Sequence, residues 1–65
     1  MRRRREPVPT TPEAILETYH RIAADAAELD DPQRRSRYIA GALALYRLDM
    51  VEVIRARRWL RRRRH

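Results

Sequence analysis

The stretch that decides the predicted fold is LDDP, residues 29–32. Proline lacks a backbone N–H and clashes with the preceding helical turn, so a helix that reaches this stretch should stop there. The same residues favour a new start, because Asp31 can cap a helix whose first residue is Pro32. The sequence therefore predicts two helices joined by a short connection.

The first predicted helix spans residues 12–29. Two starting registers remain open: Thr11 can cap with Pro12 at the first helical position, or Thr10 and Glu13 can form a capping box. Apolar positions recur at alternating steps of four and three residues, which is the rhythm of a heptad seam. This seam consists of Ile15, Tyr19, Ile22, Ala26 and Leu29.

The second predicted helix runs from about residue 32 to about residue 62, because only Gly41 weakens it, by about 1 kcal/mol relative to alanine. It carries the same rhythm at Ile39, Leu43, Tyr46, Met50, Val53, Arg57 and Leu60. Two further apolar faces are Tyr38, Ala42 and Leu45, and Ala40, Ala44, Leu48 and Val51. Strand signals are missing from the sequence. The predicted fold class is all-α, a helical hairpin.

A long helix that is apolar on most sides needs burial on more than one side. We therefore expect two hairpins to form a homodimer, as a four-helix bundle or coiled coil, or one hairpin to join another helical protein in a hetero-oligomer. The alternative is a monomer with an apolar surface. The predicted interface residues are Ile39, Leu43, Leu45, Tyr46, Leu48, Met50, Val51, Val53 and Ile54.

The charge of the chain is segregated. All 16 basic residues are arginine, cysteine is absent, and the net charge is +7. Residues 1–5 carry four arginines and residues 55–65 carry seven, whereas the middle holds nine carboxylates and five arginines. Without cysteine the chain has no disulfide, thiol nucleophile or cysteine-zinc site. A structured body with polyanion-binding ends is expected.

Three segments are expected along the 65 residues. Residues 1–11 should be a disordered arm, since its prolines exclude regular structure and its arginines repel one another. Residues 12–60 should form the hairpin domain, and residues 61–65 a basic tail. No apolar core follows the first arginines, so a secretory signal is not expected. Because charged residues interrupt the apolar stretch 38–54, it is a poor membrane span, and a cytoplasmic protein is expected.

Catalysis is not expected from this sequence. Glu17 and His20 stand three residues apart on the first helix, the spacing of a carboxylate-bridged di-metal motif. Such sites need a second Glu-x-x-His, which the chain lacks and only a dimer could supply by symmetry. Solvated residues on a helix surface are the favoured interpretation. We predict no catalytic residue, no metal site and no cofactor.

The arginine-rich ends favour nonspecific contact with nucleic acid, most naturally duplex DNA, because each guanidinium can meet a phosphate bidentately. Base-reading Asn or Gln is missing near either end, so sequence-specific readout is not expected. The predicted contact residues are Arg2, Arg3, Arg4, Arg5, Arg55, Arg57, Arg58, Trp59, Arg61, Arg62, Arg63 and Arg64.

Three alternatives remain open for these residues. Trp59 and Leu60 can instead cover the end of the bundle while the last arginines fray. The apolar faces of the second helix can bind another protein, as in an adaptor or antitoxin-like subunit. The Trp-Leu-Arg end can attach to an anionic membrane surface.

Residues 23–60 contain an "A…L-x-D-P-x-x-R-x-R" segment that leads into a helix ending in "R-x-R-R". This pattern resembles the N-terminal helical region of small actinobacterial helix-turn-helix regulators. The resemblance implies a dimerising part of a regulator, free-standing or acting on a full-length relative. It implies that Asp31, Pro32, Arg35 and Arg37 mark the start of the long helix and Arg55, Arg57 and Arg58 its basic exit. The chain stops where the DNA-reading motif of that family should begin, so no recognition helix is expected.

Overall fold

A computed structural model describes residues 8–63. They form three helices, α1 (Pro12–Ala26), α2 (Pro32–Leu45) and α3 (Met50–Arg63), and no strand occurs in this range. The predicted all-α class is confirmed. Most of the predicted arm, residues 1–7, and the end of the predicted tail, residues 64–65, lie outside the described residues.

The N-termini of α1 and α2 are capped by the residues expected from the sequence. Thr11 caps α1 with extended backbone angles, and its hydroxyl accepts a hydrogen bond from the Ala14 N–H at 3.2 Å. This selects the first of the two open registers. At the next start, an Asp31 carboxylate oxygen accepts the Gln33 N–H at 2.9 Å, with Pro32 as the first helical residue. Both caps satisfy backbone donors that the first helical turn leaves without partners.

The first helix ends at Ala26 and not near Leu29. The Leu29 N–H donates to the Ala26 carbonyl at 3.0 Å, which closes a tight turn before the next helix. One Arg35 guanidinium nitrogen reaches back and donates to the Asp30 carbonyl at 3.3 Å, tying this connection to α2. The first helix therefore ends about three residues before the predicted position, and LDDP lies in the connection to α2.

The prediction of one long helix over residues 32–62 is wrong, because the chain turns at residues 46–49. The Leu48 N–H donates to the Leu43 carbonyl at 2.9 Å, and the Arg47 N–H donates to the Ala44 carbonyl at 3.0 Å. Arg47 has a φ of 59°, in the left-handed region. These two bonds around a left-handed residue form a Schellman motif, which closes the C-terminus of α2.

A reciprocal cap starts α3 immediately after this turn. An Asp49 carboxylate oxygen accepts the Glu52 N–H at 3.1 Å, and the Asp49 N–H donates to a Glu52 carboxylate oxygen at 3.3 Å. This is a capping box, and Leu48 before it and Val53 within it are both buried, as in a hydrophobic staple. Gly41, which was expected to weaken the second helix, lies inside α2, where an added Cβ would meet open space.

The core lies where α1 meets the two later helices. It is built on Ile22, Leu43, Leu48 and Val53, and the small residues Ala26 and Ala56 are also buried. Partly buried side chains surround it, namely Ile15, Leu16, Tyr19, Ile39, Ala42 and Tyr46. The predicted α1 seam is thus the face that packs inward. On the predicted second seam, Met50 and Arg57 are exposed, because the turn rotates α3 relative to α2.

The three helices form a flat arrangement in place of the expected hairpin. Helix α1 packs against both α2 and α3, whereas α2 and α3 scarcely touch beyond the turn that joins them. The extents of the molecule are 39 × 36 × 16 Å. Helix α1 is therefore the element on which both later helices pack to build the core.

We expect Arg47→Gly to stabilise the fold. A side chain at a left-handed position costs roughly 1–2 kcal/mol, and glycine removes this cost while adding about 0.5–1 kcal/mol of unfolded-state entropy. A net gain of about 0.5–1 kcal/mol in the free energy of unfolding should appear in urea denaturation followed by far-ultraviolet circular dichroism. The matched control is Arg21→Gly in the exposed interior of α1, which should lose about 1 kcal/mol. A loss of stability in Arg47→Gly would contradict the assigned turn.

The capping box provides a second stability test. Asp49→Ala removes the acceptor for the Glu52 N–H and should lower the free energy of unfolding by about 1 kcal/mol. Asp49→Asn keeps a capping oxygen and should stay within a few tenths of a kcal/mol of the parent chain. Equal stability of the two variants would show that residue 49 does not start a helix.

Candidate nucleic-acid interface

The described part of the predicted contact set lies on α3, and its charged side chains are all exposed: Arg55, Arg57, Arg58, Arg61, Arg62 and Arg63. At 100° per residue, Arg55, Arg58 and Arg62 fall on one side of the helix, separated by three and four residues. They span about 10 Å along the axis at 1.5 Å per residue. We call these three residues the arginine face.

Burial of the opposite side of α3 sets the direction of the arginine face. Val53 and Ala56 are buried and Leu60 is half-buried, again at spacings of three and four. This apolar stripe packs toward α1, so the helix cannot rotate without exposing core residues. Packing of this stripe therefore leaves Arg58 and Arg62 on the outer side of α3, whereas Arg55 lies beside the start of α1, where it lines a groove with Pro12 and Ile15.

Two other arginines are placed over aromatic rings. The Arg57 guanidinium lies 5.9 Å from the centroid of the Tyr19 ring, and that of Arg63 lies 4.9 Å from the centroid of the Trp59 ring. Cation–π contacts of this kind contribute about 0.5–1 kcal/mol at exposed sites. Arg57 thereby links α3 to α1, and Arg63 covers one face of the indole.

Trp59 lies at the margin of the fold and not at its centre. Its side chain is 38% exposed and borders a groove shared with Thr10, Pro12 and Ile15 at the start of α1. Trp59 can therefore help to cover the end of the helices, which is the first of the three alternatives that the sequence leaves open. With Arg63 on one ring face, its other contacts are to this groove and to solvent.

The electrostatics of α3 are strongly one-sided. After Glu52, the described part of the helix contains six arginines and no carboxylate. Three of them, Arg61, Arg62 and Arg63, stand in the last turn, where the negative end of the helix dipole favours cations. The C-terminal half of α3 is therefore densely positive, and the helix dipole offsets part of the repulsion among its arginines.

Further arginines lie on α2, where no contact residue was predicted. Arg34 and Arg37 are exposed, and Arg35 is occupied with the Asp30 carbonyl. The signal was visible in the run QRRSR at residues 33–37, which has no neighbouring carboxylate on its C-terminal side. The arm residues Arg2, Arg3, Arg4 and Arg5, and Arg64 of the tail, lie outside the described residues.

The residues predicted for a protein interface separate into two groups. Leu43, Leu48 and Val53 belong to the core of the chain itself, and Ile39 and Tyr46 are partly buried against it. The remaining four stay exposed on both sides of the turn: Leu45, Met50, Val51 and Ile54. We call these four residues the corner patch. Of the nine predicted residues, only these four are exposed.

The Glu17–His20 pair forms no metal-binding group within residues 8–63. Both side chains are exposed, and no cluster of three or more potential ligands occurs in that range. The His20 imidazole lies near Tyr19, with ring centroids 5.8 Å apart. The surface interpretation of this pair agrees with its exposure.

Among the helices of the described chain, none is both long enough and apolar enough to span a bilayer. Comparison with family models, curated proteins and solved structures gives no match to this chain. The resemblance to regulators of the helix-turn-helix class therefore stays a prediction.

Proposed function

We propose that the chain is a non-enzymatic regulatory or nucleoid-type protein that binds duplex nucleic acid electrostatically and without sequence preference. The observation that carries this proposal is the arginine face, Arg55, Arg58 and Arg62, opposite the buried stripe of α3. The three cations are held by the regular helix and not by a flexible loop. Less ordering is then needed when they contact phosphates.

The dimensions of the arginine face suit a duplex. A B-DNA major groove is about 12 Å wide and accepts one α-helix. Each strand presents a phosphate about every 3.4 Å along the axis, so a face about 10 Å long can meet several phosphates. The arginine side chains can reach them bidentately. Arg57, Arg61 and Arg63 add positive charge beside this face.

Nonspecific binding is favoured over sequence readout by the composition of α3. Its exposed residues are arginines and apolar side chains, without Asn or Gln. Arginine contacts to phosphates set affinity and position but carry no sequence information. In this proposal the arm residues Arg2 to Arg5 and the tail residue Arg64 add further phosphate contacts.

A second candidate function rests on the corner patch. Four exposed apolar side chains at one turn favour a protein-interaction module, such as an adaptor or antitoxin-like subunit, in which α2 and α3 contact another helical protein. The arginine face would then meet acidic groups of that partner. A regulator that both self-associates and binds DNA would use the two surfaces together.

We expect the triple substitution of Arg55, Arg58 and Arg62 by glutamine to weaken binding to a fluorescently labelled random duplex. Anisotropy titrations at several salt concentrations should show a roughly tenfold or larger loss of affinity. The slope of log affinity against log salt should become less negative by about 2.7, or 0.9 for each lost phosphate contact.

The matched control replaces Arg21, Arg34 and Arg37 by glutamine, which removes the same charge from α1 and α2. It should retain most of the affinity and slope of the parent chain. Equal losses in both triple variants would show that net charge matters and the arginine face does not. Binding of the parent chain that is weak even at low salt would refute the proposal as a whole.

A further inference from the structure

The corner patch is an exposed apolar surface on both sides of the α2–α3 turn. The exposed fraction is 85% for Leu45 and 53% for Val51, and Ile54 and Met50 are 44% and 40% exposed. Single exposed apolar residues are ordinary on protein surfaces, but a group of large ones marks an interaction site.

The limited packing of the molecule shows why this surface needs a partner. Helices α2 and α3 each pack on α1 but have few contacts with one another, so large apolar side chains beside the turn stay uncovered. The core of the chain contains four large apolar side chains, Ile22, Leu43, Leu48 and Val53. A chain of 65 residues with so small a core is marginal alone and commonly gains stability by oligomerising.

The charges around the corner patch fit a second copy of this chain. Arg47 and Asp49 are both exposed within the turn, so the patch carries one charge of each sign. A two-fold contact brings identical patches together and therefore requires a surface complementary to itself. Opposite charges two residues apart allow Arg47 of each copy to approach Asp49 of the other.

Other occupants fit the patch less well. A polyanion gains nothing from apolar side chains, and an acidic protein would be drawn to the arginine face instead. The neighbouring surface of α2 is also built for close approach, because Ala40, Gly41 and Ala44 are exposed and a Cβ at residue 41 would meet open space. A helix of a second copy can come near this surface without displacing side chains.

We propose that two copies of the chain associate through the corner patch, with Leu45, Met50, Val51 and Ile54 of one copy packed on the same residues of the other. This geometry differs from a bundle of two hairpins, since the contact lies at the turn and leaves the C-terminal half of α3 free. Arg58 and Arg62 of each copy therefore stay outside the contact, whereas Arg55, which follows Ile54, borders it. The pair would then bind a duplex bivalently, and only this consequence rests on the proposed function.

Salt separates self-association from nucleic-acid binding. The patch is apolar and locally neutral, but the arginines of α3 bring like charges together when two copies approach. Raising the salt concentration from about 0.01 M to about 0.15 M shortens the screening length from about 30 Å to about 8 Å. Self-association should therefore strengthen with salt, whereas binding to a duplex should weaken.

The test is sedimentation equilibrium of the full chain without nucleic acid, at both salt concentrations. The parent chain, with a mass of 7.9 kDa, should approach twice that mass, and more completely at the higher salt. Val51→Glu should weaken self-association by roughly tenfold or more, because it places a carboxylate in an apolar contact. The matched control is Val8→Glu, at a valine that is 47% exposed outside the patch, and it should associate like the parent chain.

Three outcomes would overturn the proposal. They are a parent chain that stays monomeric at both salt concentrations, a Val51→Glu variant that still associates, and equal weakening by Val51→Glu and Val8→Glu. Circular dichroism checks the folding of each variant. If Val51→Glu fails to fold, Leu45→Ser at the most exposed patch residue decides in the same way. Because no duplex is present in this experiment, a failure to self-associate would not refute the proposed duplex binding, which the anisotropy titration tests independently.

Discussion

The burial of Leu48 is the interaction on which the arrangement of the helices depends. Its N–H closes the Schellman motif at the end of α2, and its side chain packs in the core beside Leu43 and Val53. The same residue stands before the capping box of α3 and forms half of its hydrophobic staple. One residue thus ends a helix through its backbone and joins both later helices to the core through its side chain. Without this contact, little would oppose continuation of α2 into α3.

Much of the fold could be predicted from local rules. Thr11, Asp31 and the prolines after them are strong start signals, and both caps form as those rules require. The α1 seam was readable because its apolar residues repeat at helical spacing and a single face is buried. The class and the first connection therefore follow from short-range chemistry, which depends little on the rest of the chain.

The turn at residues 46–49 differs from the sequence prediction for a physical reason. Left-handed positions at helix ends usually hold Gly or Asn, and here Arg47 takes that conformation at a cost of roughly 1–2 kcal/mol. Propensity alone favours a continuous helix through this residue. The spacing of Asp49 and Glu52 was the available signal, since a carboxylate three residues after an N-cap residue is a capping-box pattern. Burial of Leu48 and Val53 offsets the local strain, and burial of this kind is a tertiary effect that no window of sequence displays.

The turn also determines what α3 can do. In one continuous helix the apolar residues around position 50 would have lain along a long seam, and the arginines would have extended beyond it. The turn instead gives α3 its own buried stripe, Val53, Ala56 and Leu60, so that the packing against α1 fixes the opposite side of the same helix. On that opposite side, Val51 and Ile54 precede Arg55, Arg58 and Arg62. An apolar surface and a cationic surface therefore follow one another on a single rigid helix, and binding at one does not require the other to move.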